Sequence, residues 1–172
     1  MTVVAGGLRS RLILYNLFNM LNSSLTDLGW FNPGRRHKPI SFVIEEQDLT
    51  SEVKINTLAL SDEAISSTPW EIGSTLTEDT RWHYLDFFAE NDAVGKDLIG
   101  DCRDILLGKL ASVGRVSPTL DVFDLTQATP PRIFSCDIIT VRVDRSHDYT
   151  YPWLRHWYSI QFSLFDYYSA SG

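Results

Sequence analysis

Between Leu8 and Leu28, apolar side chains recur every three or four positions, at Leu8, Leu12, Tyr15, Phe18, Leu25 and Leu28. That spacing marks an amphipathic helix. Ile13, Leu14, Leu17, Met20 and Leu21 widen the apolar arc well beyond one stripe. A helix so broadly apolar is covered on more than one side, which suggests a sheet beneath it and a neighbouring subunit beside it. It is not a membrane span, because Arg9, Arg11, Asn16, Asn19 and Asn22 interrupt it where a span needs about 20 largely apolar residues. It also lacks the apolar centre and cleavage site of an export signal.

Gly29 closes the helix, and Trp30-Phe31-Asn32-Pro33-Gly34 reads as a turn. Strands are expected at Ile40–Glu46 and Val53–Leu60. Ser61 to Asp79, rich in Ser, Thr and acids around Pro69 and Trp70, reads as a long irregular loop. Loops beyond about 12–15 residues are usually functional, so this one is expected to make a contact. Arg81–Ala89 is an aromatic-rich strand. Asn91 is a good N-cap for a second helix running to about Ala111. Strands at Leu120–Leu125, Ile133–Asp144 and Leu154–Tyr168 complete the chain. The expected fold is α+β, a single domain over residues 1–172, with a mixed sheet of about five or six strands and both helices on one face.

The chain has 172 residues, with 15 Lys+Arg against 22 Asp+Glu and a net charge of −7. That balance argues against a sequence-independent grip on DNA or on anionic lipid. Two cysteines, Cys102 and Cys136, fit a reducing compartment better than a disulfide framework.

The search for chemistry yields little. Gly95-Lys96 lacks the other residues of a phosphate-binding loop, since Glu90 and Asp97 occupy the positions that would need Gly and Ser/Thr. Leu110 stands where a nucleophile elbow around Ser112 would need glycine. His37, His83, His147 and His156 are scattered without zinc spacing, and His83 and His156 read as half-buried or interface residues. Asp97, Asp101 and Asp104 share one helix face, but a single face seldom encloses a hard cation. Glu45, Glu46, Glu78 and Asp79 read as solvated acids near strand ends. The expectation is a protein without enzymatic activity, metal or cofactor. Arg35, Arg36, His37 and Lys38 form the only basic cluster, and Trp30, Trp70 and Trp153 lie in or beside turns. Arginine and tryptophan are enriched at interface hot spots, so Arg35, Arg36, His37, Trp70 and Trp153 are the candidate interface residues.

Several stretches in order carry a resemblance: Gly29-Trp30-Phe31 with Gly34-Arg35-Arg36-His37, Leu58-Ala59-Leu60-Ser61-Asp62-Glu63, Thr68-Pro69-Trp70-Glu71-Ile72-Gly73, Asp86-Phe87-Phe88-Ala89-Glu90, the helix Gly95 to Leu106, and Arg155-His156-Trp157-Tyr158. Across about residues 8 to 168 the chain resembles the tail terminator proteins of long, flexible-tailed phages, especially those infecting actinobacteria. The resemblance implies a structural virion protein, a homohexameric ring on the head-proximal end of the tail tube. Such a ring stops tube polymerisation and offers a docking surface to the head-closure or connector complex. Genome DNA passes its lumen without specific binding, and an acidic ring suits that passage because repulsion lets the DNA slide. The implied location is the tail or neck of the virion, with assembly in the host cytoplasm and no membrane contact. Alternative readings are a head-closure or tail-tube subunit, a small cytosolic hydrolase, or an acidic decoy for nucleic-acid-binding proteins.

Overall fold

The computed structural model describes residues 6–32, 37–44, 56–69, 76–146 and 156–169. In chain order these form α1 (Gly6–Asp27), β1 (Ser41–Ile44), β2 (Thr57–Pro69), β3 (Leu76–Phe88), α2 (Asp92–Leu106), a 3-10 turn (Ala111–Val113), β4 (Thr119–Phe123), β5 (Arg132–Ser146) and β6 (Trp157–Ser169). The architecture is α+β. Among the described residues the sheet has six strands in the order β1-β2-β3-β6-β5-β4. β1 runs parallel to β2 and all other neighbours pair antiparallel, so the sheet is mixed.

Alternation sorts the strand residues into two faces. Leu58 and Leu60 of β2, Leu85 and Phe87 of β3, and Tyr158, Ile160, Phe162 and Leu164 of β6 lie under both helices. α1 contributes Ile13, Leu14, Leu17, Leu21 and Leu25 to this core, and α2 contributes Leu98, Ile99, Cys102, Ile105 and Leu106. No described helix is long and apolar enough to cross a membrane.

Both helices end through the same device. In α1, Trp30 N–H donates to the Leu25 carbonyl and Gly29 N–H to that of Thr26, with Gly29 at φ 76°. In α2, Lys109 N–H donates to Asp104 and Gly108 N–H to Ile105, with Gly108 at φ 65°. A left-handed glycine satisfies the last carbonyls and turns the chain away. α2 therefore stops at Leu106, short of the expected Ala111. Gly108 also lies against Ser117, whose backbone would be 2.2 Å from an added Cβ.

The Ser61–Asp79 region departs most from the sequence reading. It is not a long loop: Ser61–Pro69 continues β2, and Leu76–Asp79 begins β3. Ser66 pairs with Thr80, Ser67 with Asp79 and Thr68 with Glu78. Ser and Thr pair well across strands, and the ladder supplies what low apolarity withholds. Asp79 is correspondingly no solvated acid but is buried on the helix side.

Candidate assembly surface

The face of the sheet opposite the helices carries aromatic and polar side chains. Trp82, Tyr84, Asp86 and Phe88 of β3 stand beside Trp157, Gln161 and Phe165 of β6. All except the buried Phe88 are partly exposed. Trp157 Nε1–H donates to Asp86 Oδ1 at 2.9 Å, and its ring stacks on Phe88 with centroids 5.8 Å apart. Gln161 Nε2 donates to the Tyr84 hydroxyl at 2.9 Å. These bonds fix the rings in place, so little side-chain freedom remains to be lost on contact. By sequence Trp82 and Trp157 read as strand residues with no assigned role. The signal was present in β3, where the even positions Trp82, Tyr84 and Phe88 are aromatic.

On the helix side, the sheet holds a buried ionic cluster. Arg9 of α1 donates through Nε to Asp166 Oδ2 at 2.9 Å, with a second bond from Nη2 to the same oxygen. Its guanidinium lies 3.7 Å from the Phe134 ring centroid. Arg81 donates to Asp79 Oδ2 at 2.8 Å and to Ser10 Oγ at 2.7 Å. The cluster balances two cations against two carboxylates and pins the start of α1 onto β3 and β6. Burial raises the Asp166 pKa, against the opposing pull of Arg9. Beside it, His83 stacks on Phe162 at 5.5 Å and is pushed down to about 4, chiefly by burial. His83 is thus a fully buried neutral ring, not the half-buried residue expected.

A third cluster closes the start of α2. Asn91 caps the helix, its Oδ1 accepting from Val94 N–H at 3.0 Å. Asp92 takes Lys96 at 2.6 Å, the Tyr158 hydroxyl and Arg145. The bonds from Lys96 and Tyr158 hold its carboxyl down at about 2. Burial and Asp92 push Tyr158 up to about 12. Gly95 lies under the Tyr158 ring, so the Gly95-Lys96 pair serves packing and ion pairing.

Of the candidate interface residues, Arg35, Arg36, Trp70 and Trp153 lie outside the described residues. His37 is half-buried and stacks on Trp30 at 5.1 Å, its Nδ1 2.8 Å from the Lys38 carbonyl. Trp30 is not a contact residue: it is buried in the core and donates from Nε1 to Asp101 Oδ2 at 2.7 Å. Asp104 accepts from Arg103. Among the described residues no three His, Cys, Asp or Glu side chains stand close enough to hold a metal ion. Burial raises both thiol pKa values, at Cys102 and at Cys136, which leaves them poor nucleophiles. No protein-family model matches the chain, and no curated protein shows significant sequence similarity to it.

Proposed function

We propose that the chain is a structural subunit of a phage tail, the terminator that forms a homohexameric ring on the tube end. Its partners in this reading are further copies of itself, the tail-tube protein and the head-closure or connector protein, with DNA passing through the lumen. The supporting observation is the sheet face that no described helix covers. An antiparallel sheet covered on one side normally turns polar residues to water on the other. Here Trp82, Tyr84, Trp157 and Phe165 occupy that side, with polar ends held by Asp86 and Gln161. Such a face suits burial against another protein. The α+β fold agrees with the family resemblance, and two helices of this size fit a terminator better than a strand-dominated tube subunit.

A terminator binds a tube end and presents no tube-like surface on its far side, so a heterologous stack stays finite. Phage lacking this chain should make unattached tails of irregular, often excessive length beside DNA-filled heads. Tails of normal length that fail to join heads would assign the chain to head closure. Absence of any tube would assign it to the tube itself.

A further inference from the structure

The sheet leaves two stretches of strand edge unpaired among the described residues. β1 covers β2 only from Thr57 to Leu60, and β4 covers β5 only from Arg132 to Asp137. Beyond those pairs, no described strand lies beside the outer edges of β2 from Ser61 to Pro69 and of β5 from Ile139 to Ser146. Both carry exposed apolar side chains: Ile65 is 51% exposed, Ile139 56% and Val143 41%. Unpaired edges of this kind are usually blunted, and at β4 the chain does so. There the Asn16 side-chain amide accepts from Phe123 N–H at 3.1 Å and donates to the Phe123 carbonyl at 3.0 Å. Arg115 donates to the Thr119 carbonyl at 2.8 Å. One edge is closed by side chains of its own chain, while among the described residues nothing closes the β2 and β5 edges in this way.

Strand polarity identifies what fits them. β2, β3, β6 and β5 each run antiparallel to the next. Four alternating strands mean that β2 and β5 point in opposite directions. A second copy placed by rotation beside the first therefore brings its β5 antiparallel to β2, the more stable pairing. We propose that the open β2 edge of one copy pairs with the open β5 edge of a second copy of this chain, with Ile65 opposite Val143. This deepens the assembly reading above and rests on it for closure of the ring.

The register follows from the faces. Ile65 lies opposite Arg81 and Val143 opposite Ile160, so both point to the helix side of the sheet. Residues opposite each other across two strands must share a face. The same register sets Ser66 against Arg142 and, across the irregularity between Asp62 and Ala64, Asp62 level with Arg145. Charge agrees: the β2 edge carries the exposed Asp62, whereas the β5 edge carries Arg142, paired with Asp144, and Arg145, paired with Asp92. Through β3, Ile65 stands level with Leu164 of β6, whereas Val143 stands level with Ile160. That offset, four residues or about 13 Å, accumulates over four strand spacings of about 4.8 Å each. It corresponds to a strand tilt of about 35°, within the roughly 35–45° at which sheets close on themselves.

The test is a chain carrying Ile65→Cys and Val143→Cys, oxidised with diamide after assembly. Opposed strand residues have Cβ atoms about 4.5–5.5 Å apart, close enough to bridge with small adjustment. Cys102 and Cys136 are buried and do not compete. Circular dichroism of each variant establishes folding first, and both sites are exposed enough to tolerate the change. The expected product is a reducible ladder of linked copies ending in one closed species, with no ladder from either single variant. A ladder that continues into filaments upholds the edge pairing and overturns the ring. A wild-type chain that assembles while the double variant gives no ladder overturns the pairing and leaves the ring. A wild-type chain that stays monomeric with no ladder overturns both.

Discussion

Two glycines in α2 should respond with opposite sign to the same substitution. A Cβ built on Gly95 would lie 2.1 Å from Tyr158 Cε2, 2.6 Å from Cδ2 and 2.9 Å from Cζ. A Cβ on Gly100 meets nothing within 4 Å. Helix propensity alone favours alanine over glycine by about 1 kcal/mol at either site. At Gly95 the added methyl must displace a ring that is 3% exposed, and overpacking of this kind costs roughly 1–3 kcal/mol. If the ring swings out instead, the lost burial is of similar size, about 2–3 kcal/mol. The displaced phenol also leaves Asp92. The net expectation for Gly95→Ala is destabilisation by about 2 kcal/mol, or a Tm lower by about 4–8 °C for a domain of this size. Gly100→Ala should raise Tm by about 2–4 °C. Differential scanning calorimetry of the two variants decides the matter. A Gly95→Ala protein as stable as the Gly100→Ala protein would refute the packing of Tyr158 on the helix.

Because His83 is held down to about 4 from an ordinary 6.5, the unfolded chain takes up its proton first on acidification. Stability should then fall between about pH 6.5 and pH 4 by up to roughly 3 kcal/mol, and His83→Phe should flatten that part of a urea-denaturation profile. An unchanged slope would place the imidazole in contact with water. Removing Arg9 leaves Asp166 buried without its closest cation. Arg9→Met should destabilise by about 3–5 kcal/mol, and the double variant Arg9→Met/Asp166→Leu should recover much of it. A double variant no more stable than the single one, in the same denaturation assay, would show that Arg9 acts by packing on Phe134 and not by charge.

The element order was legible because the apolar periods are strong: 3.6 in α1 and α2, two in the paired strands. The N-cap at Asn91 and the stop at Gly29 were legible because each rests on one residue with a local mechanism. The hairpin formed by β2 and β3 was not. Its Ser61–Pro69 half is mostly Ser, Thr and acid, with Ile65 its one large apolar residue, and a strand on a sheet edge with one dry neighbour needs little apolar period to form. The same limit hid the ionic cluster. Arg9 and Asp166 are 157 positions apart in the chain, and nothing local in either reveals that α1 lies across the ends of β3 and β6. Arg9 reads from sequence as an interruption of an apolar stretch, yet in the fold its planar head lies over the Phe134 ring. The candidates for contact, Arg35, Arg36, His37, Trp70 and Trp153, follow from residue type in turns, a criterion that says nothing about strands. Trp82 and Trp157, which reach the open face, sit in strands where aromatics are ordinary. Contact surface on a sheet is encoded in the second face of the alternation. Reading it requires knowing which face the helices have taken, which is information carried by the packing of α1 and α2 and not by either strand.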